Sequence, residues 1–132
     1  MSRAFISWPK LHLVTLNKLP SLILFLSTAR YIVHNTIWGS ISTISVALNG
    51  APFSVVTSFS DGTVDNSTGI PYFYLSNFDP ICTNIKENNW ASLSVSEAQS
   101  DYCKEHDWDP EEPLCSRVSL TGKVSKYCIL MF

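Results

Sequence analysis

The most reactive side chains in this sequence of 132 residues are four cysteines, Cys82, Cys103, Cys115 and Cys128. Cys103 and Cys115 bracket Lys104 to Leu114, a loop of a size that a disulfide closes well. An even cysteine count in a short chain suits an oxidising compartment, provided a secretory leader is present. Zinc is the competing chemistry, because His106 follows Cys103 after two residues. A structural zinc needs four ligands, and no second Cys or His pair has the spacing to supply the rest. A Cys103–Cys115 bridge without a metal is therefore the expectation. Spacing does not say whether Cys82 and Cys128 pair.

The other polar groups offer less chemistry. Asp107, Asp109, Glu111 and Glu112 crowd one stretch, as calcium ligands do. An EF-hand loop also needs a central glycine for its turn, and none is present here, so a solvated acidic loop is expected. His34 has no carboxylate or nucleophile at a spacing that would partner it, which makes it a packing or surface histidine. No serine occupies a nucleophile elbow, so a Ser-His-Asp hydrolase is not expected. Modification has a clearer candidate. Asn66-Ser67-Thr68 is an N-glycosylation acceptor, and Asp61, Gly62, Asp65 and Gly69 around it favour a surface loop.

Nine Lys and Arg against eleven Asp and Glu give a formal net charge of −2, and the basic residues are scattered singly. Nucleic-acid binding needs a dense positive face to displace counterions from phosphate, so no DNA or RNA partner is expected. Arg3, Lys10 and Lys18 precede the apolar run Leu22 to Leu26, and Ser27 and Ala29 are small residues at −3 and −1 of a cleavage after Ala29. That order reads as a secretory leader over residues 1–29, with a buried N-terminal segment as the alternative. The run falls short of the ~20 apolar residues that a bilayer requires, so no membrane span is expected.

Periodicity supplies the frame for these groups. A short helix is expected from Ala29 to Asn35 and a strand from Trp38 to Ala47, ending at the turn-former Asn49-Gly50. Phe53, Val55, Thr57 and Phe59 alternate with Ser54, Ser58 and Ser60, so one face of the next strand is buried; Val56 is the exception on the polar side. A loop is expected over 61–70. Tyr72 to Leu75 is apolar at every position and reads as a strand covered on both faces. Asp79 and Pro80 open a helix that runs to Glu87. Trp90 to Ser96 and Arg117 to Ser125 alternate again, with a long acidic loop over 97–113 between them. Trp38 and Trp90 are expected in the core or on a dimer contact surface. Five strands with two short helices make a mainly β, antiparallel sheet curling towards a barrel, in a single domain.

Several stretches, in order, resemble the CREG family, the cellular repressors of virus-stimulated genes. They are Ala29-Arg30-Tyr31 through Trp38-Gly39, Pro52-Phe53 through Ser60-Asp61-Gly62, and Gly69-Ile70-Pro71-Tyr72-Phe73-Tyr74-Leu75-Ser76. Lys86-Glu87-Asn88 into Ala91-Ser92-Leu93, and Asp109-Pro110 through Cys115 into Leu120-Thr121-Gly122, complete the set. The resemblance covers residues 30–126 as a partial domain. It implies a split β-barrel related to pyridoxamine-phosphate oxidase and other FMN-binding proteins. It also implies a secreted or endosomal and lysosomal glycoprotein that forms homodimers, binds no cofactor, catalyses nothing, and acts in growth and differentiation control. Receptor uptake through mannose-6-phosphate on a glycan is a trait of that family, and Asn66 is the position here that would carry the glycan.

Two departures matter. Flavin-binding relatives of the barrel carry a His-Thr pair after a Leu-Ser strand end and before an Asn-Leu. Leu75-Ser76 and Asn84-Ile85 match that frame, but the pair falls on Ile81 and Cys82. An aliphatic side chain cannot hydrogen-bond a phosphate and a thiol donates poorly. Ser76 and Asn84 thus remain as candidates for the alternative, an FMN-dependent oxidoreductase. Second, the family continues past the strand ending near Ser125, whereas this chain has the apolar tail 127–132. An open sheet edge is expected there.

Overall fold

A computed structural model of the chain describes the backbone of residues 2–7 and 22–127 and the side chains from 26 to 125. Cys128 and most of the apolar tail lie outside the described residues, as do Lys10 and Lys18 of the expected leader. The elements in chain order are β1 (Ser2–Ser7), α1 (Leu22–Asn35), β2 (Trp38–Ile44), β3 (Pro52–Thr63), β4 (Asn66–Leu75), α2 (Pro80–Glu87), β5 (Trp90–Ser96), α3 (Tyr102–Glu105) and β6 (Arg117–Tyr127). A 3-10 turn, Glu97–Gln99, precedes α3.

Strands β2 to β6 form a curled antiparallel sheet in the order β4-β3-β2-β5-β6, the expected fold class. Every link is a hairpin or a helix-bridged return, which antiparallel pairing permits. The expected open edge is absent. β1 pairs antiparallel with β4 on one side (Phe5 opposite Tyr72) and with β6 on the other (Phe5 opposite Ser125), closing the sheet into a barrel. Pairing both edges removes the unsatisfied backbone groups that an edge strand exposes. β1 and the start of α1 lie within the segment expected as a leader, and Ala29 is buried in the middle of α1.

Alternation puts one side chain in two into the interior, as the pattern demands. Ile41, Phe73, Leu93 and Val124 are almost wholly buried, with Phe59, Leu75, Val95, Val118 and Leu120 around them. Each such residue contributes roughly 1.5–3 kcal/mol by leaving water. α1 adds Ala29, Ile32 and Val33, spaced to share one helix face, and α2 adds Ile81, Cys82 and Ile85. The Asp79 side chain accepts from Ile81 N at 2.9 Å and Pro80 takes the first turn, so α2 begins where expected. Gly39 is required by close approach: a Cβ there would lie 2.8 Å from the Leu93 side chain.

Several expectations need correction. The stretch 61–70 is mostly strand, with β3 running to Thr63 and β4 starting at Asn66, because Gly62 absorbs a register shift that lets the hairpin continue. β2 stops at Ile44, since the turn begins earlier and ends in the left-handed pair Asn49 (φ 53°) and Gly50 (φ 89°). β4 is covered on one face only: Phe73 and Leu75 are buried while Tyr74 is exposed. Of the two places expected for Trp38 and Trp90, the core is excluded: both are exposed, because they fall on the outward parity of their strands. α1 begins seven residues earlier than Ala29, at Leu22.

Candidate functional site

Two clusters outside the apolar core hold most of the chemistry. The first lies where α1 meets the β3–β4 hairpin. His34 Nδ1 is 2.7 Å from Asp61 Oδ1, and Nε2 is 3.0 Å from the Val64 carbonyl. Both partners are acceptors, so only the doubly protonated imidazolium donates to both. The Ser67 hydroxyl donates to the other oxygen of Asp61, and the Thr68 hydroxyl donates to the Asp61 carbonyl. Arg30, one turn before His34, donates to the Ser67 carbonyl at 3.4 Å.

The electrostatics follow from these contacts. The hydrogen bond to Asp61, then that to the Val64 carbonyl, raises the His34 pKa above its ordinary value. Burial pushes Asp61 up, but the hydrogen bonds from Ser67 and His34 outweigh it and hold the carboxyl below the ordinary range. The expectation that His34 has no carboxylate partner is therefore wrong. The partner is 27 residues away in sequence and meets it only through the fold. A signal existed: Asp61 continues the inward parity of Phe53, Val55, Thr57 and Phe59. The order of bonding is Ser67 to Asp61 to His34, with the carboxylate in the middle. Ser67 is bonded to the carboxylate and not to the imidazole, so the bonding order is not that of a Ser-His-Asp triad, and the cluster anchors a hairpin.

What it anchors is the Asn66-Ser67-Thr68 sequon. Asn66 is exposed at the tip, opposite Thr63, while Ser67 and Thr68 tie the strand behind it to Asp61. The second cluster is the segment closed by the Cys103–Cys115 disulfide, with Cα atoms 5.6 Å apart. Both sulfurs are buried. Outside them Tyr102, His106 and Trp108 stack, with ring centroids 4.5 Å (Tyr102–His106) and 4.7 Å (His106–Trp108) apart. His106 Nδ1 is hydrogen-bonded to the Tyr102 carbonyl at 2.8 Å. Among the described residues no group of His, Cys, Asp and Glu is arranged to hold a metal.

The two flavin candidates are not brought together. Ser76 is exposed and its hydroxyl accepts from Phe78 N at 3.2 Å. Asn84 is buried; its Oδ1 accepts from Val46 N at 2.9 Å and its Nδ2 donates to Thr43 Oγ1 at 3.0 Å. Asn84 thus pins the β2–β3 turn to α2. Ile81 and Cys82 face the core. These four positions do not fit a flavin phosphate.

The outer face of β3-β2-β5-β6 is unusual. Register aligns Ser54, Ser42, Ser92 and Thr121 in one row and Val56, Ser40, Ser94 and Ser119 in the next. No charged residue interrupts either row. The hydroxyls pair across strands, Ser40 with Ser54 at 2.6 Å, Ser92 with Thr121 at 2.9 Å and Ser94 with Ser119 at 2.9 Å. Lys123, over the Trp90 ring, and Arg117 stand at the borders.

A family model described as CREG, beta-barrel, matches residues 25–127. The chain belongs to the CREG family. This CREG-family chain is 43% identical over 100 residues to Protein CREG1 of Homo sapiens, across 74% of this chain and 46% of that one. It is 40% identical over 99 residues to Protein CREG2 of Mus musculus, across 74% and 34% of the two chains. To Protein CREG1 of Gallus gallus it is 39% identical over 102 residues, across 74% and 53%. It thus spans about half the length of these curated relatives, or less. A solved structure of a protein of unknown function from Agrobacterium tumefaciens str. C58 aligns with a TM-score of 0.46 and 14% identity, over 86% of this chain and 60% of that one. The CREG match takes in all but the first three residues of α1, β2 to β6 and the disulfide-closed loop, and leaves β1 outside it. Among the described residues no helix is long and apolar enough to cross a membrane.

Proposed function

We propose that this chain is the barrel of a secreted or endolysosomal CREG glycoprotein that acts by docking, in growth and differentiation control, without catalysis or a cofactor of its own. The observation that carries this reading is the uncharged hydroxyl face of β3-β2-β5-β6. A solvated sheet face ordinarily carries long charged side chains, which cost rotamer entropy and desolvation when covered. Short hydroxyls that already satisfy one another cost little of either. The face therefore suits a second copy of this chain, giving a homodimer. Exposed Trp38, Val56 and Trp90 supply apolar contact beside it.

Asn66 supports the glycoprotein part, being exposed at a hairpin tip that is held clear of the core. A glycan there would be open to a receptor of the mannose-6-phosphate type. The acid preference of the His34–Asp61 pair agrees with an endolysosomal destination, since the pair is at full strength in mildly acidic solution.

The test is expression in a secreting cell, followed by light scattering on the medium-purified protein and its Ser94→Lys variant. A dimer that becomes a monomer in the variant, with a glycosidase-sensitive mass shift lost in Asn66→Gln, is the expected result. A native protein that is monomeric at all concentrations, or that carries flavin absorbance, overturns the reading.

A further inference from the structure

The barrel has one strand that is tethered rather than woven in. β3 and β4 are joined by residues 64–65 and β2 and β3 by 45–51, so none of these can leave without unfolding its neighbours. β1 is different. It lies outside the CREG match, and residues 8–21 separate it from α1. Fully extended, such a connection reaches roughly 50 Å. β1 is held by backbone pairing on both sides: Ser2 to Phe5 against Leu75 to Tyr72 of β4, and Arg3 to Ser7 against Tyr127 to Lys123 of β6.

That slot has a definite chemistry. With β1 gone, β4 and β6 each present a row of unpaired N–H and C=O groups facing a gap one strand wide. Such a slot binds an extended peptide in antiparallel register to both walls. A Ser2–Ser7 strand from a second copy makes the same pairs, residue for residue, as the strand in cis, so exchange loses no hydrogen bond. Only tether reach and concentration decide between the two.

We propose that the β4/β6 seam is a strand-acceptor site, and that copies of this chain exchange Ser2–Ser7 through it. This association is independent of the hydroxyl face, which lies on β3-β2-β5-β6.

The experiment uses the full chain in a Cys128→Ser background. One tagged protein carries Phe5→Cys and a second, differently tagged, carries Ser125→Cys; these positions are register partners, at the Cα separation that a disulfide accepts. The two are unfolded together, refolded as a mixture and oxidised. Exchange predicts a mixed 5–125 disulfide in about tenfold or greater excess over 5–5 and 125–125 dimers, because pairing holds the sulfurs at high effective concentration. A single chain carrying both substitutions should form covalent dimers that increase with protein concentration. If that double variant closes only within one chain at every concentration, exchange is refuted. If it does not crosslink at all, the seam does not hold β1 and the proposal falls entirely. Adding Ser94→Lys to both chains should leave the mixed crosslink unchanged, which separates this result from the fate of the docking face.

Discussion

The Cys103–Cys115 loop and the Asn66 hairpin are both held against the barrel, by opposite means. The loop is fixed by one covalent bond, whereas the hairpin is fixed by a carboxylate that gathers His34, Ser67 and, through its carbonyl, Thr68. A disulfide constrains the unfolded chain and is indifferent to pH. The Asp61 anchor acts only in the folded state, and its His34 arm is at full strength only while both partners are charged. The same task, holding an exposed segment still, is redox-sensitive at one place and proton-sensitive at the other.

Removing the bridge should have the largest effect. The Cys103→Ser, Cys115→Ser double variant is expected to lose about 3 kcal/mol in urea unfolding, for a sequence separation of 12. An unchanged midpoint would mean that packing alone holds the loop. Asp61→Ala comes next, at about 2 kcal/mol, because it leaves His34 and Ser67 without their acceptor. Hydrogen exchange should accelerate in residues 62–68 and not in 103–115. Equal acceleration in both would abolish the distinction.

The third prediction concerns pH. His34 has a raised pKa, so its contribution is complete below the unfolded value near ~6.5 and is lost as pH rises through the folded value. Asp61 has a lowered pKa, so its contribution is present above about pH 4 and is lost as pH falls through the folded value. The pair is therefore strongest between about pH 4 and 6.5. Stability of the native protein should fall from pH 6 to 9 by more than that of His34→Gln, as read from thermal midpoints. Parallel curves would show that the imidazole does not carry the effect. The smallest change is expected for Ser94→Ala, within about 0.5 kcal/mol, since a surface hydroxyl pair adds little. A larger loss would make the hydroxyl face a requirement of the fold.

Much of this was legible from residue types. Alternation located β5 and β6, Asp79-Pro80 located the start of α2, and Asn49-Gly50 located a turn, because each is a local preference of the backbone. The Cys103–Cys115 pair was legible because its loop is short. His34 with Asp61 was not, since that contact depends on where α1 crosses β3. Asn84 was misleading in the same way. A family frame suggested a ligand, while its neighbours Thr43 and Val46 come from a strand end 41 and 38 residues away.

The amino-acid sequence by itself determined the curled antiparallel sheet, the short helices, the Asn66-Ser67-Thr68 sequon and the cysteines that can meet. These rest on periods of two and on turn chemistry, which operate within a few residues. Only the tertiary structure decided that Ser2–Ser7 closes the seam, that Asp61 is a buried anchor, and that scattered serines form one continuous uncharged face. Each of those depends on register between distant strands, and register is set by the packing of the whole barrel.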